Sequence, residues 1–185
     1  MRIIAGTWRG RRIVAPSGRA TRPMLDRVRE AVFSTLMPWL PDALVLDLFA
    51  GSGSLGLEAL SRGARRVRFV ERGAPALAAL RKNVGELRAR DRTEITVGDA
   101  LAPARWLGDV DVAFVDPPYA LLEERRPAVL RAVERLVADH LAADGVAVLH
   151  VPHGALGAAE LAGTDARVRR YGTSDIWYLE RRAPE

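Results

Sequence analysis

The 185-residue chain has no cysteine, a single lysine (Lys82) and three histidines. Without cysteine there is neither a disulfide nor a thiolate metal ligand. His140, His150 and His153 are poorly spaced for a zinc cluster, so no metal is expected. Long apolar runs are also missing, and none approaches the roughly 20 residues that a membrane helix needs. The N-terminus carries Arg2, and its only apolar stretch ends within a few residues, so it does not read as a secretory signal. Aromatic residues make up only 6%, against 49% hydrophobic and 28% charged residues overall, the balance of a soluble globular protein. The length suits one domain, or one domain with a small appendage. The expectation is a cytoplasmic, metal-free protein with no membrane partner.

Positive charge is supplied almost entirely by arginine and is unevenly placed. Residues 1–30 hold Arg2, Arg9, Arg11, Arg12, Arg19, Arg22, Arg27 and Arg29 against Asp26 and Glu30. Eight cations against two acids give +6, so the rest of a chain of net charge +5 carries −1. A concentrated basic segment is the electrostatic footprint of a polyanion binder, and nucleic acid is the expected partner.

Apolar periodicity gives the architecture. Short β segments at Arg2–Ala5 and Arg11–Ala15 flank a turn at Trp8-Arg9-Gly10. Pro16-Ser17-Gly18 breaks the chain. A helix over 23–37 follows, with Pro23 in its first turn and Leu25, Val28, Val32 and Leu36 along one face. Expected strands are Ala43–Leu48, Val67–Val70, Glu94–Val97, Val110–Val115 and Val146–Val151. Expected helices are Ser54–Ser61, Pro75–Arg88, Leu121–Ala138 and a short one near Ala155–Leu161. Strands without polar alternation, separated by helices, predict a parallel sheet buried on both faces. Arg167–Tyr171 and Asp175–Arg181 close the chain as an antiparallel pair. The fold class is α/β, a Rossmann-like doubly wound sheet that is mostly parallel with a C-terminal antiparallel strand. Residues 1–20 form a basic β-hairpin extension, and residues 21–185 form the main domain.

The most informative motif is Asp116-Pro117-Pro118-Tyr119, directly after the apolar run Val112–Val115. A chain of this length matches an acid/amide-Pro-Pro-aromatic pattern by chance at roughly the one per cent level. The tetrad offers a carboxylate, carbonyls stiffened by proline and an aromatic face, which together suit a planar heterocycle bearing an amino group. The second motif follows the first strand of the α/β part: Gly51, Gly53 and Gly56 satisfy G-x-G-x-x-G, and Glu71 lies 20 residues beyond Gly51. By itself that is a nicotinamide-cofactor fingerprint. Asp47, four residues before Gly51, argues otherwise: a carboxylate there repels a pyrophosphate but attracts a cation. S-adenosyl-L-methionine has a sulfonium, an ammonium and two ribose hydroxyls that Glu71 can accept, and it has no phosphate. Asp47, Glu71, Asp99 and Asp116 all fall at the carboxyl ends of expected strands, where open α/β sheets bind ligands.

An exocyclic amino nitrogen on guanine or adenine is a poor nucleophile, because its lone pair is delocalised into the ring. Hydrogen bonds from that NH2 to the Asp116 carboxylate and the Pro117 carbonyl draw the nitrogen toward tetrahedral geometry. They also aim its lone pair at the sulfonium methyl. Tyr119 stacks on the base, so orientation and electrostatics do most of the catalytic work. A paired base first has to leave its stack.

These residues carry a resemblance. Met1-Arg2-Ile3-Ile4-Ala5-Gly6, Arg9-Gly10-Arg11, Arg22-Pro23, Asp26-Arg27-Val28-Arg29-Glu30, Asp47-Leu48-Phe49-Ala50-Gly51-Ser52-Gly53, Gly56-Leu57-Glu58-Ala59 and Asp116–Tyr119 resemble the RsmD family of bacterial 16S rRNA guanine-N2 methyltransferases. The similarity runs from residue 1 to about 120 and returns at Tyr171-Gly172. It implies a class I methyltransferase fold, S-adenosyl-L-methionine as cofactor, and 16S rRNA in the small subunit or an assembly intermediate as partner, with a monomer expected. The cofactor contacts it implies are Asp47, Phe49, Ala50, Gly51, Ser52, Gly53, Glu71, Arg72, Asp99 and Ala100. The catalytic residues it implies are Asp116, Pro117, Pro118 and Tyr119. Arg9, Arg11 and Arg12 are expected on RNA phosphates, with Trp8 either stacking on a base or burying the small β unit. Two departures from the family pattern are Met24-Leu25, where small polar residues are usual, and Thr173-Ser174, which interrupt a usual Gly-Asp-Thr.

Asp-Pro-Pro-Tyr serves adenine equally well, so an N6-adenine methyltransferase is the nearest alternative. Glutamine methylation is disfavoured, since that group typically has Asn first in the tetrad. A non-catalytic ribosome-assembly factor of the same fold is the alternative from another class.

Overall fold

The computed structural model describes residues 1–16, 24–102 and 108–182. Seven strands form one sheet in the order β3-β2-β1-β4-β5-β7-β6. They are β1 (Leu44–Leu48), β2 (Arg66–Glu71), β3 (Thr93–Val97), β4 (Val110–Val115), β5 (Leu141–Pro152), β6 (Thr164–Tyr171) and β7 (Ser174–Arg181). The first five are parallel, while β7 runs antiparallel to both β5 and β6. The chain winds outward through β1, β2 and β3, then returns to lay β4 beside β1. That reversal creates a topological switch point between β1 and β4, the place where doubly wound sheets take their ligands.

Each face of the sheet has its own core. On one face Val45, Val67, Phe69, Val112, Phe114 and Val148 pack under α1 (Asp26–Leu36), α2 (Ser54–Ser61) and α3 (Ala74–Glu86). On the other, Leu46, Leu48, Val70, Ala113, Val115 and Leu149 pack under α4 (Tyr119–Arg135). Consecutive residues of β1 and β4 thus go to opposite cores, which is why these strands read as unbroken apolar runs.

Several boundaries differ from the periodicity. Among the described residues the antiparallel N-terminal arm contains a single β-bridge, Arg2–Arg12, and Gly6 and Gly10 at positive φ turn the chain after a few residues. α1 starts at Asp26; Leu25 precedes its first turn in an extended conformation and is 60% exposed, so it is not on the buried face. Pro23, expected inside that helix, lies outside the described residues, as do residues 17–20 of the arm. The short helix near 155–161 is a single 3-10 turn, Ala158–Leu161. Among the described residues, no helix is long and apolar enough to cross a membrane.

The arm is fastened to the main sheet. Ile3 and Ile13 are buried in the same core as α1 and α2. Glu58, fully buried on α2, accepts hydrogen bonds from the Ile4 and Ala5 N–H groups and from Arg62 Nε at 2.7–3.0 Å. The segment 26–30 contributes here too, since buried Arg29 donates to the Arg2 carbonyl and to Asp26.

Candidate active site

The β1/β4 register pairs Leu48 with Val115, so the residues just past each strand are the glycine loop and Asp116. Sheet pairing therefore brings together two motifs that are more than 60 residues apart in the chain. Phe49 opens the loop at φ 60°, a left-handed conformation that costs a non-glycine residue about 1–2 kcal/mol. Strain of that kind persists where the surroundings over-determine the backbone, and here the Ala50 N–H donates to the Val70 carbonyl. Gly53 sits at φ 81°, and a Cβ there would stand 2.4 Å from Leu80 Cδ1. At Gly56 an added Cβ would meet Phe69 Cε1 at 2.4 Å and Val67 Cγ1 at 2.6 Å, so this glycine lets α2 lie against β2.

The acids divide the work. Glu71 Oε2 accepts from the Gly51 N–H at 2.8 Å, and its Oε1 accepts from the Arg72 and Gly73 N–H groups at 2.8 and 2.7 Å. One carboxylate thus joins the glycine loop to the turn into α3. Asp47 is 1% exposed, and its Oδ2 accepts from the Gly56 N–H at 2.9 Å, bracing the loop from beneath. Burial pushes the Asp47 carboxyl well above the usual carboxylate range; the Gly56 hydrogen bond opposes this, while Asp116 and Glu71 add to it. Asp99 is 39% exposed and accepts from the Leu101 N–H, with Arg72 and Arg125 guanidinium nitrogens each 3.9 Å away. Ala100 beside it is buried.

Asp116 is 29% exposed, Pro117 is buried, and Tyr119 is 40% exposed as the first residue of α4. The tetrad therefore carries a partly exposed acid and an exposed aromatic ring on a proline-stiffened turn beside the glycine loop. His150 lies on the neighbouring β5, 4% exposed, with Nδ1 2.9 Å from Asp116 Oδ1.

Three contributors were not legible in the sequence. His150 falls inside the apolar end of β5, where local pattern gives it no partner. Asn83, fully buried on α3, donates to the carbonyls of both Ser52 and Val14 and accepts from the Val14 N–H, so it ties the basic arm to the glycine loop. Arg125 reaches Asp99 because α4 is kinked there, at φ −131°, two residues before Pro127; that proline was the available signal.

In the arm, Arg9 and Arg12 are exposed, and Arg11 donates to the Glu86 carbonyl at 3.0 Å. Trp8 packs partly buried against the core with the Arg92 guanidinium 5.0 Å from its ring centre. Among the described residues, no group of three or more acidic, histidine or cysteine side chains could hold a metal ion.

The family model described as conserved hypothetical protein 95 matches residues 1–180. Curated relatives include proteins named ribosomal RNA small subunit methyltransferase D. That of Escherichia coli K12 is 42% identical over 126 residues, and that of Haemophilus influenzae 41% over 123 residues. The matches cover 67% and 64% of this chain, and 64% of the length of each relative. Among solved structures, yhhF of Escherichia coli, a candidate methyltransferase, superposes with a TM-score of 0.82 at 33% identity, covering 98% of both chains.

Proposed function

The chain belongs to the family described as conserved hypothetical protein 95, the RsmD family, and from that premise we propose that it transfers a methyl group from S-adenosyl-L-methionine to the exocyclic N2 amino group of one guanine in 16S rRNA. Its fold is the class I methyltransferase fold. The observation that carries the reading is the adjacency, at the switch point, of a carboxylate-braced glycine loop and the Asp116–Tyr119 turn.

The residues fit the cofactor. The strand tips are acidic: burial is the main cause that raises the Asp47 carboxyl, and repulsion from Asp116 and Glu71 adds to it. A sulfonium and an ammonium relieve that repulsion, whereas a pyrophosphate would add to it. Glu71 lies beside the loop where ribose hydroxyls would be held, with Arg72 next to it. Phe49 to Gly53 supply the loop backbone, and Asp99 with Ala100 would border the adenine. When bound, the cofactor supplies an electrophilic methyl group.

The chain orients the nucleophile. Asp116 Oδ2 and the Pro117 carbonyl accept the two amino hydrogens and turn the nitrogen lone pair toward the methyl. Tyr119 stacks on the flipped base and holds its plane. Asp116 would take the proton that the amino nitrogen sheds once it is methylated. Arg9, Arg11 and Arg12 would contact phosphates of the small-subunit rRNA, in the ribosomal particle or an assembly intermediate, with Trp8 at the edge of that surface. The protein acts in the cytoplasm as a monomer.

The test is label transfer. Small subunits from cells lacking the protein are incubated with it and methyl-labelled S-adenosylmethionine, and the rRNA is digested to nucleosides for mass spectrometry. Label in N2-methylguanosine supports the proposal. Label in N6-methyladenosine keeps the mechanism and overturns the base assignment, and no label removes the catalytic reading.

A further inference from the structure

We propose that His150 is the positioning residue of the site, an imidazole that fixes the acid and the aromatic of the catalytic tetrad together; the inference rests on the role given to Asp116 above. Sheet register supplies the placement. Leu149 of β5 pairs with Val115 of β4, so His150 lies beside Asp116, one step beyond that pair. The ring is 4% exposed and makes polar contacts on both edges. Its Nδ1 is 2.9 Å from Asp116 Oδ1, and its Nε2 is 2.9 Å from Ser174 Oγ and 3.5 Å from the Tyr119 hydroxyl. The Tyr119 and His150 rings meet edge-on, with centroids 6.0 Å apart and planes at 71°.

Hydrogen-bond chemistry fixes the tautomer. An ionised carboxylate only accepts, so His150 Nδ1 carries the proton and donates to Asp116. In the neutral ring Nε2 is then an acceptor, filled by the Ser174 hydroxyl and approached by that of Tyr119. The terminal torsion of an aspartate is otherwise broad. Holding Oδ1 stops the carboxylate from rotating and leaves Oδ2 for the amino hydrogen of the base. The same ring limits the swing of Tyr119, the residue that sets the plane of the base. One buried side chain thus couples the hydrogen-bonding and stacking ends of the tetrad, and Ser174 on β7 locks that side chain from behind. This also gives Ser174, where the chain departs from the family's Gly-Asp-Thr, a specific task.

Two substitutions separate the donor from the volume. His150→Phe keeps a ring and removes the Nδ1–H, whereas His150→Asn returns an N–H close to where Nδ1 stood. With small subunits as substrate, His150→Phe is expected to lower kcat on the order of 10- to 100-fold, the scale of a misoriented reacting group. KM for subunits and the calorimetric affinity for S-adenosylmethionine should stay within about twofold, since the proposed role alters orientation and not binding. His150→Asn should recover most of the lost kcat. Wild-type turnover by His150→Phe, alongside an inactive Asp116→Ala, would retire the positioning role and leave the function proposal standing. Equal loss in the Phe and Asn variants with binding intact would also overturn it, because the N–H would then not be the cause. Active Asp116→Ala would instead strike the underlying reading. If the Phe variant does not fold, His150→Leu removes the same donor with less bulk and is judged by the same outcomes.

Discussion

Glu71 accepts the Gly51 N–H at 2.8 Å while its other oxygen accepts the N–H groups of Arg72 and Gly73. The acid at the tip of β2 is therefore a structural clip as well as a proposed ribose partner. Hydrogen bonds to a charged group contribute about 1.5–3 kcal/mol. Glu71→Ala should weaken S-adenosylmethionine binding by about 10- to 100-fold, measured by calorimetry, and lower the Tm. An unchanged affinity would show that neither the clip nor the ribose contact matters for binding.

Asp47 gives a pH-dependent prediction. Its folded-state carboxyl titrates above the unfolded value near 3.8, chiefly because it is buried. Between those two values the folded protein holds a proton that the unfolded chain has released, so stability falls as pH rises. Asp47→Asn does not titrate, so its Tm relative to the native protein should rise from pH 4 toward neutrality. Each kcal/mol of relief corresponds to about 2–4 °C in a chain of this size. The same variant should bind S-adenosylmethionine more weakly. A Tm difference that is flat with pH would contradict the assignment.

The three glycines of the loop should not respond alike to alanine. In Gly51→Ala the added Cβ stands 3.9 Å from the Phe49 carbonyl oxygen, an ordinary contact, and the change bears chiefly the cost of positive φ, about 1–2 kcal/mol. Gly53→Ala adds a contact at 2.4 Å with Leu80 to an unfavourable φ, and Gly56→Ala drives a methyl into Phe69 and Val67. Overpacking of that kind costs about 1–3 kcal/mol. Chemical denaturation should rank Gly51→Ala as the mildest.

Arg9, Arg11 and Arg12 differ from Arg29. The first three stand on the surface of the arm, whereas Arg29 is buried and holds the arm in place. Replacing the three with alanine should weaken subunit binding and lower its salt slope by about 2 to 3, on the basis of roughly 0.7–0.9 per phosphate contact. Folding should change little, since the one hydrogen bond lost, from Arg11 to the Glu86 carbonyl, is exposed. An unchanged slope would refute the arm's electrostatic role.

These residues also show why some of the design was legible and some was not. The parallel sheet announced itself because β1 and β4 feed two cores and leave no polar alternation. Asp47, Glu71 and Asp116 stood out because each ends such a run. Leu25 misled because helical periodicity does not mark where the first turn begins. His150 and Asn83 were invisible for a different reason: His150 is a lone polar residue in the apolar end of β5, Asn83 merges with the polar Arg81-Lys82 pair of α3, and the meaning of each comes from partners at least 24 residues away, Asp116 and Ser174 for one, Val14 and Ser52 for the other. Local pattern cannot supply such partners; sheet register and helix packing do.

The central claim is that Asp116 holds the target amino group in a cleft that binds the cofactor independently. Asp116→Ala, assayed for methyl transfer to small subunits at saturating S-adenosylmethionine with affinity measured in parallel, tests it most directly. The account predicts near-native cofactor affinity with transfer reduced by about 100- to 1,000-fold, the effect of removing one key group from a preorganised site. Transfer at close to the native rate would contradict it.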